Sequence, residues 1–189
     1  MNRVLRIASF ALAAAVCLAA PSPLRAADTP APAAQISPAQ VLDQMLNRYA
    51  NEMVPLVQAM PADKFNFAPT NGQFTGVRTF AQQVEHVAEA NYHYFGSISA
   101  TAPKIPDMAS LKTKDQIVQA LEDSIAYGHQ VIATITPENA FAPMGSGRFV
   151  HTRAGTAAAA IAHGYDHYGQ LVEYLRMNGI IPPSSRHGM

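Results

Sequence analysis

The sequence predicts an all-α fold, a four-helix bundle, and three observations carry that expectation. Apolar residues recur at three- and four-residue spacing in four long segments. Hydroxyl residues suited to capping stand where those segments open. Elsewhere there is no strong alternation of the kind that marks a half-buried strand. Four long helices with mixed connections bury their stripes against one another. At 189 residues and 49% hydrophobic, the chain can build one real core, and a second domain is not expected.

The first helix opens with Ser37 as cap and Pro38 at the first helical position, where a missing N–H costs nothing. Its stripe is Val41, Met45, Leu46, Tyr49, Met53 and Val57, and it ends near Met60-Pro61. The second opens near Thr79 and runs to about Ser99, with Phe80, Val84, Val87, Ala88, Tyr92 and Phe95 on one face. Thr113 followed by Gln116 is a capping box for the third. That helix carries Ile117, Leu121, Ile125, Val131 and Ile135, and Thr136-Pro137 is its expected stop. The fourth starts at Thr152 or Arg153 and runs to Asn178. Gly179 then supplies the C-terminal turn and Pro182-Pro183 prevent continuation.

Between the first two helices lies a long connection, Pro61 to Arg78. Its three aromatics, Phe65, Phe67 and Phe74, suggest a loop packed onto the bundle. The segment Phe141 to Val150 reads as a loop or a short hairpin.

The N-terminus has the pattern of a secretory leader. Arg3 and Arg6 precede an apolar run from Ile7 to Ala20 that is too short to span a bilayer comfortably. Pro21 and Pro23 end it, and cleavage is expected after Ala26 or Ala27. The alternative is an uncleaved anchor. Val16 is too bulky for a good lipoprotein site at Cys17, the single cysteine. The expected organisation is a signal peptide over 1–26, a Pro/Ala-rich flexible linker over 27–36, the bundle over 37–183, and a disordered tail over 184–189. Cleavage removes Arg3, Arg6 and Arg25 and no acid, leaving 10 basic against 13 acidic side chains. No bulk charge or basic cluster then favours nucleic acid, and nothing in the cleaved chain anchors it to a membrane. The mature protein also has no cysteine, so no disulfide, thiolate nucleophile or sulfur ligand. Its expected place is the periplasm or the exterior.

Among seven histidines, His163 and His167 are the informative pair. Four residues apart on a helix, they share a face and can reach one ion. Two ligands do not make a tight site, so a third must come from another helix. His86 and His93 both border the stripe of the second helix, about 10 Å apart along its axis, and only one can meet the pair. The pair is not the zincin motif, in which Glu follows the first His; here Gly164 does. Asp166 projects from another side of the helix, as a solvated residue or a partner of a ligand. Gly164, Gly169 and the run Ala159 to Ala162 leave the nearby face small, which suggests close helix approach or room for a ligand.

With the first-helix start (VLDQMLNRYANEMVPLVQAMPADKFNFAPT), the second-helix context TFAQQVEHVAEANYHYF and the fourth-helix block HGYDHYGQLVEYLRMNGIIPP, the chain resembles the DinB/YfiT-like family of metal-binding bundles. The likeness spans about Val41 to Arg176. The family's pattern of one second-helix His, then His-x3-His followed by Gly-Gln, falls here on His86, His163, His167, Gly169 and Gln170. The resemblance implies an up-up-down-down bundle with a long crossover, often dimeric. It also implies one divalent metal ion, zinc or nickel, held by His86, His163 and His167 with open positions taken by water. Members with known activity look like thiol transferases or related isomerases, in which the metal activates a low-molecular-weight thiol. Export sets this chain apart, because such thiols are cytosolic; that argues against the thiol chemistry and leaves the metal site intact. The expectation is therefore an exported metal-binding protein acting as a metal-dependent transferase or hydrolase on a small molecule. The alternatives are a non-enzymatic metal-binding or stress-related carrier, and a bundle whose histidines only pack. Tyr92, His93, Asp166 and Tyr168 are the polar neighbours from which a general base would come. Gln170 is expected to bond across helices.

Overall fold

The computed structural model describes residues 35–186, apart from residues 71 and 74. The leader, most of the linker, Phe74 and the last three residues lie outside that range. Four α-helices make up the fold: α1 (Pro38–Ala59), α2 (Phe80–Gly96), α3 (Lys114–Ile132) and α4 (Arg153–Met177). Among the described residues there is no strand, only one antiparallel bridge between Met144 and His151 across a 3-10 turn at Gly147–Phe149. No helix among them is long and apolar enough to cross a membrane.

The caps decide the starts. Ser37, Thr79 and Thr113 each accept from the backbone N–H three residues on, and Gln40, Gln82 and Gln116 each reach back to the cap's own N–H. Two otherwise orphaned donors are satisfied at each end. Thr152 caps α4 by accepting from Gly155 N. The third helix stops three residues short of its expected end. Thr136 and Asn139 exchange hydrogen bonds, and Asn139 Nδ2 donates to Thr134 O. That local turn competes with the helix and unwinds Ala133 to Ile135.

The helix directions differ from the expected up-up-down-down order. Lys114, at the start of α3, donates to Gln58 O and Met60 O near the end of α1, both at 2.7 Å. At the other end His129 meets Asp43 at 2.6 Å, so α1 and α3 are antiparallel. Asn91 donates to Ser124 at 3.0 Å, and Phe95 covers Gly128, so α2 and α3 run the same way. Gln83 meets Gln170 and Tyr94 meets His163, which makes α2 and α4 antiparallel. The order is thus up-down-down-up. The long crossover exists, but it is the segment 97–113, which carries the chain back along the bundle so that α3 can start beside the beginning of α2. Each helix packs mainly on two neighbours: α1 and α2 both lie against α3 and α4.

The aromatic loop after α1 does pack onto the bundle. Phe65 is buried edge-on to Phe80 and Phe67 stands edge-on to Tyr174. Carbonyls of the same two loop residues accept from Phe80 N and Ala81 N, at 2.9 and 2.8 Å. The loop therefore satisfies the first donors of α2 while filling that end of the core.

The expected stripe of α1 holds at Leu46, Tyr49, Met53 and Val57, but Leu42 takes the core place expected of Val41, and Met45 faces out. Leu42 and Leu46 are buried, whereas Val41 and Met45 are 45% and 42% exposed. Val41 lines an apolar surface at the base of α1 together with Ile36 and Phe141. Past α4, where a tail was expected from residue 184, Pro183–Ser185 form a 3-10 turn and Ser184 is hydrogen-bonded to Tyr168 at 2.7 Å.

Candidate metal centre

The site forms where α2 and α4 cross with small side chains between the helices and their neighbours. On α4 the inward row Ala154, Ala157, Ala160 and Gly164 is buried. A Cβ at Gly164 would lie 2.6 Å from the ring of Tyr49, so α1 comes closer here than any side chain permits. That contact settles α4 with its His163/His167 edge turned toward α2.

His86, His163 and His167 are brought together. Each offers one ring nitrogen, and these atoms all lie within 4.8 Å of one another. The two Nε2 atoms of the α4 pair are 3.2 Å apart. Metal–imidazole bonds of 2.0–2.1 Å place two nitrogens on one tetrahedral ion about 3.3 Å from each other. The pair already has that spacing, and a nitrogen of the half-buried His86 lies within 4.8 Å of both. The buried Nδ1 of His163 has no hydrogen-bond partner.

All three imidazoles hold protons less tightly than a free histidine. Burial pushes His86 down first, then the charge of Arg78 and His163. Burial is also the main cause for His163, partly opposed by Asp166. His167 is the most affected, pushed down to about 4 by burial and then by the other two rings. Neutral imidazole is the ligand form, so the cluster is ready for an ion at neutral pH. The donor set and its spacing suit a metal ion, and imidazole donors alone do not choose which one.

Three polar residues that the sequence reading passed over belong to this region. Gln83 is buried and its Oε1 meets His167 Nδ1 at 2.6 Å. It sits three residues before His86, on the same helical face, and that offset was the available signal. Glu89 and Tyr94 line an open cleft of about 440 Å³ together with His86, His93, Ser97 and His163. The Tyr94 ring lies 5.6 Å from that of His163. Of the polar neighbours singled out beforehand, only His93 reaches the cleft, on its rim, 3.9 Å from Glu89. Tyr92 turns toward Tyr127 on α3, and Tyr168 is taken up by Ser184. Asp166 accepts from Gln170, which does bond across to α2.

Residues 45–171 match the model of the DinB superfamily. The chain belongs to the DinB superfamily. Among solved structures it is similar to a member of the DinB family from Exiguobacterium sibiricum 255-15, at 20% identity and a TM-score of 0.55, over 77% of this chain and 95% of that one. It is also similar to a DinB-like protein from Bacillus subtilis, at 15% identity and a TM-score of 0.54, over 72% of this chain and 92% of that one. At such identities these likenesses speak for the fold. No curated protein matches the chain.

Proposed function

We propose that this DinB-superfamily member is exported and binds one divalent ion, zinc or nickel, through His86, His163 and His167, to carry out a metal-dependent transfer or hydrolysis on a small molecule. The observation that carries the reading is the 3.2 Å spacing of the two Nε2 atoms, with a His86 nitrogen within 4.8 Å, beside an open cleft. When bound, such an ion with an open position lowers the pKa of water or a thiol toward neutrality. The chain's own residues supply the rest. Tyr94 and Ala90 offer apolar surface in the cleft, while Glu89, His93 and Ser97 give polar contacts that orient a bound molecule. The leader pattern at the N-terminus supports export.

A second reading, a carrier without turnover, is favoured by one feature. The proton-accepting groups of the cleft, Glu89 and His93, have half or more of their side-chain surface exposed, at 50% and 66%. Neither is held in place as a general base would be.

Elemental analysis of the purified protein and of His163→Ala tests the site: about one equivalent of metal is expected in the first and a large loss in the second. Equal metal content in both would overturn the proposal. The metallated protein is then assayed with thiols and electrophiles, and with esters and amides. Turnover lost in His163→Ala supports the enzyme; metal binding without turnover selects the carrier.

A further inference from the structure

His167 is the end of a chain of hydrogen bonds whose direction is fixed by the carboxylate at its other end. Asp166 can only accept, so Gln170 turns its Nε2 toward it, at 3.0 Å. The Oε1 of Gln170 then faces α2 and accepts from Gln83 Nε2 at 2.8 Å. This leaves Gln83 Oε1 against His167 Nδ1 at 2.6 Å. A carbonyl oxygen accepts only, so the ring proton sits on Nδ1. No flip of either amide satisfies all three contacts. His167 Nε2 is therefore bare, and it points at His163 Nε2.

The other two rings have no hydrogen-bond partner on the side away from the cluster. His163 Nδ1 is buried without a partner, and no described residue makes a hydrogen bond to His86. Only His167 is hydrogen-bonded from behind; His163 is held through its Nε2, which faces the bare Nε2 of His167.

We propose that Gln83 is a positioning residue, backed by Gln170 and Asp166, which holds the proton on Nδ1 of His167 and makes this ring the fixed corner of the cluster. Groups behind a ligating histidine commonly choose its tautomer and orientation in this way; here an amide relay takes the place of a direct carboxylate. The effect on metal affinity rests on the metal reading above, whereas the tautomer is a property of the metal-free protein.

The test uses the full chain, ring-labelled with 15N on histidine and stripped of metal with a chelator. NMR of the wild type is expected to show His167 protonated on Nδ1. Gln83→Leu should lose that preference, and Gln83→Glu, which still accepts from Nδ1, should keep it. Zinc affinity, read by competition with a chromophoric chelator, should fall about 10–100-fold in Gln83→Leu and stay near wild type in Gln83→Glu. Gln170→Leu, at an exposed position, gives the same signs with a smaller loss and guards against misfolding of the buried variant. A His167 proton on Nε2 in the wild type, or a tautomer unchanged in Gln83→Leu, would overturn the proposal and leave the metal reading standing. The expected tautomers in a protein that takes up no zinc would uphold the positioning role and sink the metal reading.

Discussion

Replacing Gly164 by Ala tests how closely α1 and α4 must approach behind the histidine cluster. The new Cβ would stand 2.6 Å from Cε2 and Cζ of Tyr49 and 2.9 Å from its Oη, about 1 Å inside ordinary van der Waals contact. The ring cannot step aside: it is 1% exposed and lies edge-on to Tyr165. Such overpacking costs about 1–3 kcal/mol. Ala is also a better helix former than Gly by about 1 kcal/mol, which blurs the result of this variant alone. Gly169 supplies the control. It lies five residues on in the same helix, exposed, and a Cβ there meets nothing within 4 Å. Gly169→Ala gains the propensity without the clash. The difference between the two variants is then the clash itself, about 1–3 kcal/mol in favour of Gly169→Ala. Urea unfolding of both metal-free proteins, followed by far-UV circular dichroism, measures it. Equal stability, or a more stable Gly164→Ala, would refute the close approach inferred for α1.

Two further predictions concern pH and export. His167 has a folded pKa of about 4, below the free value of 6.5, so the unfolded chain binds more protons between those limits. Metal-free stability should be full above about pH 6.5 and decline as pH falls toward 4; His167→Gln should show a shallower decline in denaturant midpoints from pH 7.5 to 5, and parallel profiles would contradict the assignment. The mature chain recovered from outside the cytoplasmic membrane should begin at residue 27 or 28 by N-terminal sequencing; an intact Met1 there would refute cleavage of the leader.

The starts of the helices were legible because each is a local agreement between two residues, as with Thr113 and Gln116. The third helix's end was less so, since Asn139 had to be seen bonding back to Thr134 and Thr136. Val41 and Met45 share helical spacing with the true core residues Leu42 and Leu46, and only tertiary contact tells the adjacent faces apart. Helix directions were beyond reach: connections as long as 61–78 and 97–113 can return a chain to either end of a bundle. The histidine pair was readable from its four-residue offset. Pattern within one helix could not separate His86 from His93, and the family likeness selected the one that the fold brings to the pair. Gln83 stayed hidden because a glutamine acquires its meaning only from partners on a helix more than 80 residues away.

That separation bears on biogenesis. The residues of the cluster come from α2 and from α4, which is synthesised later. A nascent or C-terminally clipped chain presents His86 by itself, a single imidazole with negligible hold on an ion. On the proposed reading, capture of metal is coupled to the docking of α4 against α2. An ion bound as proposed would tie together two helices that are far apart in sequence.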